Sequence, residues 1–176
     1  IMGCDLVWSN ENPPAVTSHP LAEGRTLEQL SIPSEQDGRL PAVLETAAEI
    51  RESCPDLALY GLVTGPFTLA MHLAGTELFM KMMMDPDEVH GLLAFCRDVA
   101  VRMSGYYIDA GCDVIAMVDP MTSQISPEQF RRFVTAPAKQ VFRSIRERGR
   151  ASSFFVCGHA QQNVEAMCEC GPHNVS

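Results

Sequence analysis

Short apolar segments alternate with amphipathic helical segments along most of this chain. The candidate strands are Asp5 to Ser9, Leu57 to Thr64, Cys112 to Asp119, Ser152 to Cys157 and a segment that begins near Asn174. The candidate helices between them are Leu40 to Ser53, Phe67 to Leu73, Asp85 to Gly111, Ser126 to Arg148 and Gln161 to Glu169. Because strands that are separated by helices are joined by right-handed parallel crossovers, this alternation predicts the α/β class.

Five candidate strands fit either a doubly wound sheet or part of an eight-stranded barrel. No strand is followed by a Gly-x-Gly-x-x-Gly motif or by a Walker-type phosphate loop, and these are the commonest nucleotide-binding reasons for an open sheet. We therefore predict a parallel (β/α)8 TIM-barrel type of fold, present as a partial barrel of about five strands. Residues 1–176 are predicted to form a single domain, a fragment of that barrel.

Two helix starts have specific capping patterns. Asp85 is placed as an N-cap with Pro86 at the first helical position and Glu88 three residues on, and the segment Ser126 to Gln129 repeats this arrangement. The methionines at 80 and 82–84 precede the first of these helices, and we expect them to fill irregular space in the core.

Charge and composition limit the classes of partner. The formal net charge of −9 argues against nucleic acid or an anionic membrane, since both require a basic surface. The basic residues cluster between Arg131 and Arg150, where we expect a solvated helix face. No apolar run approaches the roughly 20 residues that cross a bilayer, and seven scattered cysteines indicate a reducing, cytoplasmic environment.

Four of the predicted strands end in polar or unusual residues: Ser9-Asn10-Glu11, Thr64-Gly65-Pro66, Asp119 to Ser123, and Cys157-Gly158-His159. In a parallel barrel these ends open on one face, which is where such enzymes keep their reactive groups. Asn10 and Asp119 are equally well explained, each taken singly, as residues that cap turns.

Cys157 and His159 are both residue types that bind zinc, although a buried cysteine beside a turn histidine explains the same pair. Cys168, Cys170 and His173 are excluded from a common site, because a helix of about eight residues, roughly 12 Å long, separates the two groups. His72 follows Gly65-Pro66, and we expect it to point back toward the strand ends as an acid, a base or an anion-binding group; a satisfied surface histidine is the alternative. Ser9 and Ser123 lack the nucleophile-elbow context of a hydrolase.

Three segments together carry a resemblance to a known family. They are Gly65 to Ala70, Ile125 to Phe130 after Asp119-Pro120, and Phe155 to Gly158. In this order they resemble the uroporphyrinogen decarboxylase superfamily. That superfamily contains the decarboxylase and the corrinoid-linked methyltransferases, which pass a methyl group from methylcobalamin to a thiol such as coenzyme M. The resemblance implies an eight-stranded barrel of roughly twice this length, of which this chain is a central piece.

The decarboxylase branch implies three residues that this chain replaces. Its substrate-binding carboxylate corresponds to Asn10, with Glu11 in its place only if the register shifts by one residue. Its tyrosine corresponds to His72, and its serine at the third strand end corresponds to Pro120.

The methyltransferase branch implies a zinc ion that binds the acceptor thiol. Its ligands are the histidine and cysteine of a His-x-Cys-Gly strand end and a later cysteine, which would lie beyond Ser176. Cys157 and Gly158 match, but Phe155 occupies the histidine position, so His159 is the candidate substitute.

The comparison favours a methyltransferase over a decarboxylase. It implies Cys157 and His159 as zinc ligands, Asp119 and His72 at the substrate opening, and methylcobalamin as donor, carried by a partner corrinoid protein. A third hypothesis is a non-catalytic binding or assembly subunit, motivated by the replaced positions. Residues 1–176 alone are not expected to be fully active, because an incomplete barrel exposes strand edges and apolar helix faces.

Overall fold

A computed structural model describes residues 2–11 and 14–176. A four-stranded parallel sheet has the order β3 (Tyr60–Thr64), β4 (Val114–Val118), β5 (Ala151–Phe155) and β6 (Asn174–Val175). The helices are α1 (Leu40–Ser53), α2 (Pro66–Ala74), α3 (Glu77–Met84), α4 (Pro86–Asp109), α5 (Pro127–Gln129), α6 (Thr135–Glu147) and α7 (Val164–Glu169). The predicted α/β class is therefore confirmed.

The first predicted strand does not belong to this sheet. β1 (Leu6–Val7) pairs antiparallel with β2 (Ala15–Val16) in a separate two-stranded sheet. Leu6, Val7 and Trp8 are all exposed, whereas a strand within a parallel sheet is covered on both faces. The parallel sheet thus has four strands in the described residues, one fewer than expected, and no closed barrel.

The two faces of the sheet differ in burial. On one face, rows of register partners such as Val63, Met117 and Phe154 are buried against the helices. On the other face, Tyr60 and Leu62 are each 61% exposed. The sheet therefore has one helix-covered face and one face that is largely open.

The helix layer is built mainly on α4, which has the N-cap that the sequence predicts. The Asp85 carboxylate accepts the backbone N–H of Glu88 at 3.1 Å. The Glu88 side chain does not complete the reciprocal box, because the backbone N–H of Asp85 already donates to the Lys81 carbonyl and Glu88 pairs with Lys81 instead. The predicted stripe of α4 is buried at Val89, Leu92, Leu93, Cys96, Val99 and Ala100.

The next predicted helix is interrupted. Its start at Ser126 has both bonds of the expected capping box, but a π-helical segment (Phe130–Val134) separates α5 from α6. Pro137 follows this segment and has no N–H to donate to Phe133. A single wider turn is a common adjustment to such a defect, and here the Thr135 N–H donates to the Phe130 carbonyl, five residues back.

Two expectations about helix burial are wrong. Met82 is buried, but Met80, Met83 and Met84 are exposed on α3 and do not fill the core. On α1, whose bounds match the prediction, Val43 and Ile50 are exposed. Among the described helices, none is both long and apolar enough to cross a membrane.

Candidate functional site

Strands β3, β4 and β5 end level with one another. Thr64, Val118 and Phe155 are register partners in the last row of the sheet. The ladder continues for one more residue, since the Gly65 N–H donates to the Val118 carbonyl and the Asp119 N–H donates to the Phe155 carbonyl. Three of the four predicted strand ends therefore lie on one edge, as parallel strands require.

Asp119 is completely buried at this edge. Its two carboxylate oxygens accept the backbone N–H groups of Phe67 at 3.2 Å and Thr68 at 2.6 Å. These are the second and third residues of α2, whose own N-cap, Gly65, has no side chain to offer. Asp119 therefore caps α2 from a distant part of the chain, a role that side-chain oxygens normally perform from the N-cap position.

Burial dominates the ionisation of Asp119. It raises the pKa of the carboxyl group to about 6, while the hydrogen bonds from Thr68 and Phe67 act in the opposite direction. We expected this carboxylate to line the substrate opening, but none of its surface is exposed. The alternative from the sequence was a turn cap, whereas Asp119 caps the distant helix α2.

Cys157 is the exposed reactive group of the edge. It follows β5 by two residues and its thiol is free. Gly158 then adopts a φ of +95°, which L side chains rarely adopt, and an added side chain there would meet Ser123. The turn thus presents Cys157 to solvent beside the segment that follows β4.

The structure does not assemble a metal cluster around Cys157. His159 is exposed on the same turn, but the described residues contain no group of three or more His, Cys, Asp or Glu side chains placed to hold a metal ion. Phe155, in the position where the resemblance expects a histidine, lies on the open face of the sheet and is 38% exposed.

His72 lies away from this edge. It is in the last turn of α2, six residues beyond Pro66 and so about 9 Å along the helix axis. Its backbone carbonyl accepts from His19 Nδ1 at 2.9 Å and from the Cys4 thiol at 3.5 Å. Burial, and secondarily the nearby His19, lower the pKa of the His72 imidazole. His72 is thus grouped with the N-terminal segment instead of with Cys157.

Asn10 and Glu11 lie on the exposed connection between β1 and β2. They follow an antiparallel strand that is separate from the parallel sheet, so they do not follow a strand of that sheet as expected.

The second cysteine and histidine group lies where the sequence places it, at the other end of β5. His173 Nδ1 accepts from the Ser152 N–H at 3.1 Å, near the start of the strand. Cys170 is buried and donates to the Ala166 carbonyl.

Two positioning residues of the edge escaped the sequence analysis. Thr68 donates an N–H to Asp119 and its hydroxyl accepts the N–H of Met121 at 3.1 Å. Asn163 is buried, and its Nδ2 donates to the carbonyls of Thr122 at 2.9 Å and Ile125 at 3.0 Å. The Gly-Pro-aromatic-Thr segment could have indicated Thr68. Asn163 had no such signal, because its partners lie about 40 residues away in the sequence.

The segments that form this edge match a sequence family. The model of the uroporphyrinogen decarboxylase (URO-D) family matches residues 1–176. The chain belongs to this family. This match includes the three segments on which the resemblance was based.

Curated family members of two activities resemble the chain. The methylcobamide:CoM methyltransferase MtaA of Methanosarcina barkeri is 30% identical over 182 residues, which cover 99% of this chain and 52% of that protein. The uroporphyrinogen decarboxylase of Thermus thermophilus is 29% identical over 155 residues, 84% of this chain and 45% of that protein. The chain thus spans about half the length of these relatives.

A solved structure is also similar to this chain. A methyltransferase from Methanosarcina mazei superimposes with a TM-score of 0.89 at 29% identity, over 99% of this chain and 52% of that chain. The α/β arrangement described above is therefore that of a URO-D family member.

Proposed function

We propose that this chain is the central part of a (β/α)8 barrel enzyme that transfers a methyl group from a methylcobamide to the sulfur of a small thiol. The exposed Cys157 at the carboxyl end of β5 carries the proposal, because it is the accessible thiol among the residues that directly follow the parallel strands. The MtaA and MtbA methyltransferases among the relatives match 99% to 100% of the chain.

Such a transfer breaks a carbon–cobalt bond and forms a carbon–sulfur bond, with the electron pair left on cobalt and the thiol proton released. The acceptor sulfur must be deprotonated, since the thiolate is the nucleophilic form. In the proposed enzyme Cys157 lies at the strand end where the acceptor thiol binds, and the Gly158 turn leaves its side chain exposed at the carboxyl edge.

A catalytic zinc ion would supply this deprotonation by binding the acceptor sulfur. The described residues fit such an ion only in part. Catalytic zinc normally has three protein ligands, and the edge provides at most two, Cys157 and His159. We propose Cys157 as one ligand and His159 as the replacement for the histidine missing at Phe155, with the remaining donor outside the described residues.

A uroporphyrinogen decarboxylase is the second candidate, favoured by the relatives of that activity. That chemistry needs an accessible carboxylate for the substrate pyrroles. Among the residues that directly follow β3, β4 and β5, the carboxylate is Asp119, and it is buried and engaged by α2. With Asn10 on the hairpin and Pro120 in the serine position, the arrangement supports methyl transfer better. A non-catalytic binding subunit remains the third hypothesis.

The test is an assay of the full-length protein with methylcobalamin and coenzyme M. Methyl transfer is monitored by the loss of absorbance from the cobalt–carbon bond, and the zinc content of the protein is measured as well. Methyl transfer with stoichiometric zinc supports the proposal. Coproporphyrinogen formation from uroporphyrinogen without metal would establish the decarboxylase instead, and binding of either substrate without turnover would establish the binding subunit. We place the protein in the reducing cytosol, in keeping with its seven free cysteines.

A further inference from the structure

Helix α3 is apolar on two opposite sides. Leu78 and Met82 are buried, at 0% and 2% exposure. Met80, Met83 and Met84 are 64%, 82% and 79% exposed. At 100° per residue these three side chains fall within an arc of about 100°, centred almost opposite Leu78 and Met82. We call the surface formed by Met80, Met83 and Met84 the methionine face.

The methionine face is unusual for a helix at a protein surface. Such helices normally have charged or polar residues opposite their buried stripe, whereas a helix that is apolar all round is normally covered. Methionine is also the side chain best able to adapt to different partner shapes, because it is unbranched, flexible and polarizable. The composition of the face therefore indicates a surface that is covered in the working protein, by the remainder of the full-length chain or by another molecule.

Acidic residues adjoin this face in the sequence. Glu77 begins α3, and Asp85 and Asp87 lie at the junction with α4; all three are exposed. Neither Glu77 nor Asp87 is in an ion pair with another described residue, and Lys81, the basic residue of α3, is already paired with Glu88 at 2.6 Å. The rim of the methionine face is thus negative, as is the whole chain.

The charge of the rim decides between possible occupants. A second copy of this chain, meeting the face about a two-fold axis, would place acidic rims opposite each other, and like charges across an interface are unfavourable. An anionic membrane is disfavoured for the same reason. A surface with an apolar centre and a basic rim is complementary in both respects.

We propose that the methionine face docks a partner protein whose contacting surface is an apolar helix face bordered by lysine or arginine. Docking does not depend on methyl transfer, so it can be tested whether or not the proposed function holds.

The test uses the full-length protein with ¹³C-labelled methionine methyl groups and a synthetic 20-residue amphipathic peptide with leucine on one face and lysine on the other. Saturable one-to-one binding should shift the methyl signals of Met80, Met83 and Met84 and leave buried Met82 little changed. The triple variant M80Q/M83Q/M84Q should weaken binding at least tenfold. Glutamine matches methionine in length and helix propensity, so circular dichroism should show the same helix content as in wild type.

Two controls distinguish this face from general stickiness. V43Q/I50Q removes exposed apolar side chains from α1 and should leave the peptide affinity unchanged, and a peptide with glutamate in place of lysine should not bind. Equal binding by the triple variant would overturn the proposal. A dimer that the triple variant abolishes would also overturn it, because the face would then bind a second copy. Protection of the three methyl groups from a soluble paramagnetic agent in the free protein would overturn it too, because the face would then already be covered.

Discussion

The carboxylate of Asp119 occupies the space that a side chain at position 65 would need. A Cβ atom added to Gly65 would fall well inside van der Waals distance of the Asp119 side chain. The backbone of Gly65 is extended, with φ −67° and ψ 155°, so any residue could adopt its conformation. Glycine is required here because the Asp119 side chain, which follows β4, reaches the amides of α2 past this position. A side chain on residue 65 would block the carboxylate.

The first prediction follows from this contact. Gly65→Ala should destabilise the protein by about 1–3 kcal/mol, as overpacking of a buried site usually does. The measurement is the free energy of unfolding in urea. Gly91→Ala is the matched control, because Gly91 is within α4 and an added Cβ would meet nothing within 4 Å. It should stabilise the protein by up to about 1 kcal/mol, and equal effects at both sites would contradict the close approach.

The buried carboxylate should also make stability depend on pH. Because burial raises the pKa of Asp119 from 3.8 to about 6, the folded state binds a proton more readily than the unfolded state between these values. Its stabilising contribution is therefore fully present below pH 3.8 and is lost as the pH rises through about 6.

Asp119→Asn removes this titration, so the stability of wild type minus that of the variant should decrease between about pH 4 and pH 7. At pH 7 the variant should still be less stable than wild type, by about 1–3 kcal/mol, because an amide cannot accept both N–H groups of α2. Urea denaturation at several pH values measures the difference, and a difference that is constant or grows with pH would contradict the raised pKa.

Local patterns predicted most elements of the fold. The bounds of α1 and the capping box from Ser126 to Gln129 depend on residues near one another in sequence, and both are observed. The pattern of Asp5 to Ser9 was equally local, but it contains nothing that selects a pairing partner, and the strand pairs with Ala15–Val16 instead of joining the sheet.

The candidate site was less predictable, because its contacts are long-range. Cys157 lies at a strand end as expected from the apolar run before it. The burial of Asp119 depends on amides 51 and 52 residues away, and the grouping of His72 with His19 joins residues 53 apart. No spacing in the sequence indicates either contact.

The pairing of His19 with His72 gives a third prediction. The nearby His19 contributes to the lowered pKa of the His72 imidazole, after burial. His19→Gln should therefore raise the pKa of His72 toward 6.5, measured by NMR titration of the imidazole, while His90→Gln on α4 should leave it unchanged. In wild type the contribution of His72 to stability is present above pH 6.5 and is lost as the pH falls through its lowered pKa. A pKa of His72 that is identical with and without His19 would contradict the interaction.

Cys157 and Cys168 are both exposed, free thiols, but they lie at opposite ends of the β5–α7 unit. Each can be changed to serine with little effect on the free energy of unfolding, because neither side chain is buried. If Cys157 helps to bind a zinc ion that holds the acceptor, Cys157→Ser should lower the rate of methyl transfer from methylcobalamin to coenzyme M by about 100-fold or more, equivalent to about 2.7 kcal/mol of activation free energy. Cys168→Ser should stay within about twofold of wild type. A Cys157→Ser protein with full activity and unchanged metal content would show that the exposed thiol of the strand end takes no part in the reaction.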